Sequence, residues 1–466
     1  MTDGLWTELL SQAWAALPGD TGAEAMAGEL AVDGAVGLLG SNLRVHDTAI
    51  ACVGTALLAA AALAGQRGGR GHPPARVDAG HVAAAVRSEV HLRLNGQAIA
   101  GFAPLSRFWC ASDGWVRTHG NYPWHREALL RALETTGDVA SVEAAIKSAP
   151  ALEVEERVVA AGGLAVGVRT EEAWPAHPHG RVVAGQRLVE GDRVGDAPPR
   201  RRVPGPLPAS GLRVLDLTRV IAGPVCTRFL AALGADVLRL DPPHRPELPL
   251  HVYDGLPGKR SAVLDARTPD GLARLHELLD GADVLVHGYR PGALDRFGLS
   301  FPELAERHPG LVVVSLSAWG ASGPWAGRRG FDSIVQAATG IAMVESPDGD
   351  RPGALPCQLL DHGTGYLAAA AVLDALRRQE EHGGTYLREL SLARTAHWLL
   401  GQPRDRREPM PSEGAHEPWL TTVDSADGPI TTVTPPGVLG GRRLHWPGTL
   451  TAYGGDRLEW PSAFTQ

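Results

Sequence analysis

The chain contains 466 residues, of which 44% are hydrophobic, enough to bury a large core and to form two or more domains. Its formal net charge is -8 and its Lys and Arg residues are scattered, which argues against nucleic acid as a partner. The four cysteines lie far apart without CxxC spacing, so we expect neither a zinc site nor disulfides, and a reducing cytoplasm fits this usage best.

The first hundred residues carry two helical patterns. Leucines and tryptophans recur at helical spacing over residues 5–17, which predicts an amphipathic helix docked on the core, and the acidic start is unlike a signal peptide. Residues 49–65 form a long uncharged run, but this run is mostly alanine and too weakly apolar for a membrane span. We therefore expect a buried helix there and no membrane partner.

A segment rich in Pro, Gly and Arg, GDAPPRRRVPGPLPAS at 195–210, predicts a linker. Beyond it, strand patterns such as LRVLDLT, ADVLRLD, ADVLVHG and LVVVSLS alternate with helical patterns such as GPVCTRFLAALG and PDGLARLHELLDG. This alternation predicts βαβ units, and hence an α/β fold with a doubly wound, Rossmann-like parallel sheet. Ligands of such sheets bind at the carboxyl ends of the strands.

The segments that follow the predicted strands carry the unusual residues. They read TRVIAGP, DPPHRPE, GYRPG and SAWGASGPW. Small residues with accessible N–H groups, together with arginines, suit a phosphate-bearing ligand, although Gly and Pro can also serve only to form the turns. The chain has neither a GxGxxG motif nor a Walker loop, which argues against the simplest nicotinamide and ATP sites.

One acidic residue, Asp361, stands at the start of a predicted helix in LPCQLLDHGTGYLAAAAVLDALRRQ, residues 355–379. From the residues alone it is either a helix N-cap, a common place for Asp, or a nucleophile whose negative charge the helix N-terminus stabilises. Gly363 and Gly365 are expected to leave room for a bulky ligand and to bring backbone N–H groups close to it.

Taken in order, the segments between about residues 211 and 401 resemble the family III CoA-transferases. This family includes formyl-CoA transferase, carnitine CoA-transferase and the related α-methylacyl-CoA racemases. The resemblance implies an enzyme that moves CoA between an acyl-CoA and a carboxylic acid, with both as small-molecule substrates and no tightly bound cofactor. It also implies that Asp361 attacks the thioester, forms a mixed anhydride and then an aspartyl-CoA thioester, and that an acceptor acid reverses the sequence.

The resemblance implies five residues in contact with CoA. They are Ala222 and Gly223 of IAGP, Lys259 and Arg260 of GKRS, and Arg290 of GYRPG. Without the resemblance, a loop Lys or Arg is more often solvated than bound to a ligand. No HxxxH or HxH spacing with nearby acids and no GxSxG elbow occurs in the sequence, so we predict neither a metal nor a hydrolase triad.

Racemase or lyase activity of the same family, and a non-catalytic CoA-binding role, are the alternatives. In the racemases a His returns the proton, but the matching segment here, RRGFDSIVQA, has Phe331 at that position, and a phenyl ring cannot carry a proton. His362 is a substitute in principle, although adjacent residues of a helix point in different directions. Transfer is therefore preferred to racemase or lyase activity, which ranks second, and a CoA-binding role ranks third.

Part of the sequence occurs twice. Residues 43–66, LRVHDTAIACVGTALLAAAALAGQ, parallel the Asp361 segment, with Asp47 interpreted as a relic or a cap. The domain order is then close to a circular permutation of the family. We expect helices over 1–100, a small α+β domain over 101–194, the linker over 195–210, the CoA-binding sheet domain over 211–400 and a return segment over 401–466. The resemblance also implies a homodimer, interlocked in other members of the family.

Overall fold

The computed structural model describes residues 5–18, 26–69, 71–202, 204–405, 414 and 416–461, so part of the expected return segment over 401–466 lies outside the described residues. The first part of the chain is mainly helical. Its elements are α1 (Leu5–Ala15), β1 (Leu30–Asp33), α2 (Val45–Gly68), β2 (Ala75–Asp78), α3 (Ala79–Ala85), α4 (Ser88–His91), β3 (Arg93–Leu94), β4 (Gln97–Ala98), β5 (Phe108–Cys110), β6 (Trp115–Thr118), α5 (Pro123–Leu133), α6 (Val139–Lys147), α7 (Ala151–Ala160), β7 (Ala165–Gly167), α8 (Ala173–Ala176), α9 (Pro178–Ala184) and β8 (Arg193–Gly195).

The second part alternates strands and helices and then ends in short strands. Its elements are β9 (Arg213–Leu217), α10 (Ala222–Ala232), β10 (Asp236–Asp241), α11 (Pro249–Gly255), β11 (Arg260–Val263), α12 (Pro269–Asp280), β12 (Val284–His287), α13 (Phe301–Arg307), β13 (Val312–Ser317), α14 (Asp332–Thr339), α15 (Ile341–Val344), α16 (Leu359–His382), β14 (Thr385–Ser391), α17 (Leu392–Leu400), β15 (Leu420–Val423), β16 (Ile430–Val433), β17 (Val438–Leu439) and β18 (Arg442–Arg443). Two short 3-10 helices span Asp295–Phe297 and Glu417–Trp419.

A seven-stranded sheet in the order β11-β10-β9-β12-β13-β14-β8 organises the second part. All neighbouring pairs are parallel except β14 with the edge strand β8. Numbered from β9, the six parallel strands follow the order 3-2-1-4-5-6, which is the Rossmann order. The predicted α/β fold with a doubly wound parallel sheet is confirmed.

The side chains of the central strands alternate between two apolar clusters, one on each face of the sheet. Val214, Val284 and Val312 belong to a core cluster that includes side chains of α2, α10 and α16. The neighbouring Leu215 and Leu285 belong to a second cluster with side chains of α12 and α13. Strands buried on both faces read as continuous apolar runs, and this is the Val/Leu pattern of the sequence.

The repeated sequence segments form two helices of 24 residues each, α2 and α16, which pack against one another. Asp47 and Asp361 are both the third residue of their helix. Each helix is followed by a strand and a second helix, β2 with α3 and β14 with α17, whose cap residues Asp78 and Ser391 both accept a hydrogen bond from the backbone three residues later. The sequence repeat is therefore also a structural repeat.

Helix α1 packs on α2 through Leu9, Leu10 and Trp14, as the amphipathic pattern predicted. Of the described helices, α2 alone is long and apolar enough by composition to cross a membrane, and 94% of its most apolar window is buried inside the protein. Strand pairing joins the two ends of the chain, because β17 pairs with β2 and β16 pairs with β3. The sheet β5-β6-β7, with α5 to α7, forms a smaller unit beside the main sheet.

Candidate active site

A cleft of about 480 Å³ lies at the carboxyl ends of the parallel strands. The segments that follow β9, β10, β11, β12 and β13 line it, as expected for a doubly wound sheet. Three residues of the smaller unit, Tyr122, Trp124 and His125, close the cleft from the other side. The only described residue of α16 in the lining is Asp361.

Asp361 is in the first turn of α16, and the residue at the cap position is Gln358, whose side chain makes no cap hydrogen bond. The interpretation of Asp361 as the N-cap is therefore wrong. Its backbone N–H donates to Oδ2 of Asp332 at 3.0 Å. The residue is 6% exposed and, within the described part of the chain, its carboxyl group forms no hydrogen bond or ion pair. A free carboxyl oxygen thus faces the cleft.

Burial raises the pKa of the Asp361 carboxyl well above its usual range, and the nearby Asp332 and Glu89 raise it further. The sequence had suggested that the helix N-terminus would favour the ionised form, but burial and the two neighbouring carboxyl groups outweigh that effect. Burial also raises the pKa of Asp332 to about 6. Asp361 therefore holds its proton more tightly than an ordinary aspartic acid.

His362 points away from the cleft. Its Nε2 lies 2.9 Å from Oε2 of Glu89, and its side chain is fully buried. It is not among the residues that line the cleft, so it is not placed to carry a proton for a ligand there. This geometry agrees with the sequence argument that adjacent residues of a helix face different directions.

Gly363 and Gly365 serve helix packing. A Cβ at Gly365 would lie 2.4 Å from the carbonyl oxygen of Ala222, so glycine lets α16 approach α10 closely. A Cβ at Gly363 would lie 3.3 Å from Sγ of Cys52 on α2. The prediction that these glycines leave room for a bulky ligand is therefore wrong.

Three of the five predicted CoA contacts lie in the cleft. Ala222 and Gly223 line it at the N-terminus of α10, and Arg290 lines it after β12. The Arg290 side chain is exposed and donates to the carbonyl oxygen of Gly327 at 2.6 Å. Ile221 is buried next to Ala222 and does not line the cleft.

Neither Lys259 nor Arg260 lines the cleft. This placement disagrees with the prediction that their side chains contact CoA. The fully buried Nζ of Lys259 lies 3.0 Å from Oδ2 of Asp216, and burial lowers the pKa of this lysine to about 8. Arg260 pairs with Asp236 at 2.9 Å. The physical reason is position, because the GKRS motif spans the start of β11 and so lies at the amino end of the strand, away from the cleft edge.

The cleft is rich in arginines that the sequence analysis did not single out. They are Arg219, Arg245, Arg267, Arg296, Arg328 and Arg329. Arg328 pairs with Glu155 at 2.7 Å. By contrast, three arginines form no ion pair with any carboxylate in the described ranges, namely Arg245, Arg290 and Arg329. Burial lowers the pKa of Arg329, and repulsion from Arg290 and Arg245 lowers it further. Cations that converge without an acidic partner favour an anionic ligand.

Residues 209–423 match the profile of CoA-transferase family III. The segment belongs to this family. The match runs from just before β9 to the end of β15, so it contains Asp361 and every strand of the parallel sheet. The resemblance identified from the sequence motifs is confirmed.

Characterised relatives of the family III segment carry transferase names. The chain is 34% identical over 190 residues to the "probable fatty acyl-CoA transferase Rv3272" of Mycobacterium tuberculosis, covering 38% of this chain and 48% of the relative. It is 34% identical over 184 residues to the formyl-CoA:oxalate CoA-transferase of Streptomyces coelicolor, covering 37% and 45%. A crystal structure of Rv3272 from M. tuberculosis has a TM-score of 0.39 at 32% identity, covering 42% of this chain and 56% of that chain. The chain spans about half the length of the curated relatives it matches.

The smaller unit forms the roof of the family III cleft. The rings of Tyr122 and Trp124 stack at 4.7 Å between centroids, and the guanidinium of Arg219 lies 5.0 Å from the centroid of the Tyr122 ring. The adjacent Val220 has φ 67, a left-handed backbone that is rare for a β-branched residue, and its N–H donates to Glu247 at 3.0 Å. Strain of this kind concentrates at ligand sites.

Two histidines of the roof lie against Phe331, the residue that stands in place of the racemase His. The ring of His119 is 4.3 Å and that of His125 is 5.9 Å from the Phe331 ring, measured between centroids. The Nδ1 atoms of both histidines are buried without a hydrogen-bond partner. The sequence could not have indicated this contact, because about 200 residues separate the histidines from Phe331.

Asp47, the counterpart of Asp361 in the repeat, is buried 3.9 Å from the guanidinium of Arg44 and is not a lining residue of the cleft. Its neighbour His46 accepts hydrogen bonds from the backbone of Gly37 and Leu38 at Nδ1. These contacts fit a structural role. Over the ranges that the structure covers, no group of three His, Cys, Asp or Glu side chains is placed to hold a metal ion.

Proposed function

We propose that this protein transfers CoA from an acyl-CoA to a carboxylic acid through covalent intermediates on Asp361. The observation that carries the proposal is the free carboxyl of Asp361 in an arginine-rich cleft at the carboxyl ends of the family III sheet. The names of the relatives support the same class of reaction. A non-catalytic CoA-binding protein would share the cleft but would not need an unpaired, buried carboxyl group in it.

The proposed reaction begins when one carboxylate oxygen of Asp361 bonds to the thioester carbon and the C–S bond breaks, with the electron pair leaving on the CoA thiolate. The thiolate then attacks the aspartyl carbonyl carbon of the mixed anhydride and expels the donor acid, leaving an aspartyl-CoA thioester. The acceptor carboxylate attacks the aspartyl carbonyl carbon of this thioester, and a second mixed anhydride forms as the thiolate leaves. The thiolate then attacks the acyl carbon of the acceptor, the bond from this carbon to the shared oxygen breaks, and that oxygen remains on Asp361. Asp361 is then free again.

Three unpaired cations support CoA as the ligand of the cleft. Arg245, Arg290 and Arg329 converge without an acidic partner among the described residues, and phosphates would supply the missing negative charge. Ala222 and Gly223 begin α10, whose free N–H groups also favour an anion. We assign the phosphate contacts of CoA to these residues and not to Lys259 or Arg260.

The ionisation of Asp361 in this scheme depends on the ligand. A carboxyl group with a raised pKa is a poor nucleophile until a nearby cation or the loss of its proton makes it anionic. The arginines of the same lining are a source of compensating positive charge. The donor and acceptor acids are open within this proposal, since the named relatives act on different acyl groups.

Intact-mass spectrometry after incubation with a panel of acyl-CoA thioesters, followed by hydroxylamine trapping, tests the proposal. The wild type should form a hydroxamate that maps to Asp361, and Asp361→Asn should form none. Asp47→Asn is the matched control, because Asp47 has the same position in the repeated helix but lies outside the cleft, and it should still form the adduct. Measurable CoA binding without any adduct would reject the transferase in favour of a binding protein.

A second candidate activity is proton exchange at the α-carbon of an acyl-CoA. The observation that favours it is the packing of His119 and His125 against Phe331, which brings imidazole groups to the position where the racemases carry their His. Incubation of a 2-methylacyl-CoA in deuterium oxide distinguishes the two activities. Deuterium at the α-carbon without an Asp361 adduct would select proton exchange, and an adduct without deuterium would select transfer.

We also expect a homodimer in the cytoplasm. Light scattering at several protein concentrations tests the oligomeric state, and a single species with the mass of one chain would contradict the expectation.

A further inference from the structure

His125 is a buried polar residue of the cleft without a partner. It is 6% exposed, and its imidazole ring makes no hydrogen bond to any residue in the described ranges. Its Nδ1 is fully buried and unpaired. Buried polar groups nearly always have a hydrogen-bond partner, and an exception calls for an explanation such as a missing ligand.

His125 lies at the Asp361 end of the cleft. Its ring is 5.9 Å from the ring of Phe331. Asp332, which follows Phe331 in the chain, accepts a hydrogen bond from the backbone N–H of Asp361 at 3.0 Å. Both Phe331 and Asp361 line the same cleft as His125. His125 and Asp361 are therefore lining residues of one cleft, and a single ligand in it can contact both.

The His125 ring is neutral over the working pH range of most enzymes. Burial, together with the positive charges of Arg329, Arg245 and Arg219, lowers its pKa to about 3. No carboxylate contributes to this shift. A neutral imidazole carries one N–H donor and one lone pair, so His125 offers a hydrogen-bond donor without itself losing or gaining a proton.

We propose that the imidazole N–H of His125 donates a hydrogen bond to the carbonyl oxygen of the acyl-CoA thioester and stabilises the oxyanion that forms when Asp361 attacks. This inference rests on the proposed transferase function. As the Asp361 oxygen bonds to the carbonyl carbon, the π electrons move onto the carbonyl oxygen. They return when the C–S bond breaks, and His125 keeps its proton throughout. A donor placed where charge develops accelerates the step without strengthening ground-state binding.

The neighbouring polar groups of the roof are less suited to this role. The hydroxyl of Tyr122 donates to Glu247, so it is already occupied. His119 packs on the same Phe331 ring but is not among the lining residues. It is 6% exposed, as is His125, and is therefore a matched control for it.

The test compares His125→Phe, His125→Gln and His119→Phe with the wild type. Phe keeps a ring of similar size without a donor, and Gln keeps an N–H donor. The rate of Asp361 adduct formation is measured by rapid quench and mass spectrometry, the CoA dissociation constant by calorimetry, and the melting temperature of each variant by circular dichroism. We expect His125→Phe to slow the adduct step by about 10²- to 10³-fold. Its CoA dissociation constant should be unchanged, His125→Gln should be intermediate, and His119→Phe should be close to the wild type.

Two results would overturn the inference while leaving the transferase proposal intact. One is an adduct rate in His125→Phe equal to that of the wild type. The other is a loss of rate matched by equal losses of CoA affinity and melting temperature, and not rescued by Gln, which would indicate a packing role. The absence of an adduct in the wild type itself would instead reject the transferase proposal, and the inference with it.

Discussion

The backbone N–H of Asp361 donates to Oδ2 of Asp332 at 3.0 Å, so the proposed nucleophile is held next to a second buried carboxyl group. Asp332 also accepts a hydrogen bond from the side chain of Gln336 and is fully buried. The arrangement positions Asp361 and at the same time raises its pKa. Positioning and proton affinity are therefore coupled through one residue.

Substitution of Asp332 should change the pH dependence of the reaction. In the proposed reaction Asp361 attacks as a carboxylate, and because its pKa is raised, adduct formation should fall on acidification at a pH well above the usual aspartate range. Asp332→Asn keeps an oxygen acceptor for the Asp361 N–H but removes a negative charge. The acidic limb of the rate profile should therefore move to lower pH, as measured by the pre-steady-state adduct rate. A limb that stays in place would show that Asp332 does not set the pKa of Asp361.

Removal of the Asp361 charge should stabilise the fold. The folded-state pKa of Asp361 lies above the unfolded-state value, so the folded protein binds this proton more tightly. The associated stability is present below the unfolded-state pKa and is lost as the pH rises through the folded-state pKa, at about 1.4 kcal/mol per pH unit over that interval. Asp361→Asn does not suffer this loss.

The melting temperature of Asp361→Asn should accordingly exceed that of the wild type, and the difference should grow with pH until the folded-state pKa is passed. Thermal unfolding of both proteins at a series of pH values measures this difference in melting temperature. Asp265→Asn is a suitable comparison, because Asp265 is a partly exposed carboxyl paired with Arg267 and its pKa is lowered, to about 2. A difference for Asp361→Asn that is independent of pH would contradict the raised pKa.

Lys259 should contribute to stability more than to CoA affinity. Its ammonium group is fully buried against Asp216, and removal of one partner of a buried ion pair costs about 3–5 kcal/mol because the other charge is left uncompensated. Lys259→Met should therefore lower the free energy of unfolding strongly, and Asp216→Asn combined with Lys259→Met should recover part of the loss. Chemical denaturation measures both. Near-normal stability with a large loss of CoA affinity would restore the contact that the sequence motif suggested.

Arg329 should bind the anionic part of the ligand. Arg329→Gln should weaken CoA binding by about 10- to 100-fold, the range for a lost hydrogen bond to a charged group, and should reduce the salt dependence of binding. Arg351→Gln is the control, since Arg351 is exposed and paired with Asp348 outside the cleft. Calorimetric titration with CoA and with 3′-dephospho-CoA separates the contributions of the phosphates. Equal affinity of Arg329→Gln and wild type for both ligands would rule out this role.

Local pattern was sufficient to predict the parallel sheet and the place of the cleft, whereas the role predicted for Asp361 came from the resemblance to the family. The βαβ alternation and the continuous apolar strands determine topology and burial, and the strand ends then determine where a ligand binds. The prediction that Lys259 contacts CoA disagrees with the structure because a sequence motif does not indicate at which end of a strand its side chains lie. The roof histidine His125 was missed because its contact with Phe331 is created only by tertiary packing.

The most direct test of the central claim follows an oxygen atom. In the proposed sequence the acceptor carboxylate leaves one of its oxygens on Asp361 each time the nucleophile is regenerated. Turnover with an acceptor acid labelled with oxygen-18, using the acid and thioester that the trapping experiment identifies, should therefore place the label on the peptide that contains Asp361. Formation of the new acyl-CoA with no label on that peptide would contradict a covalent role for Asp361.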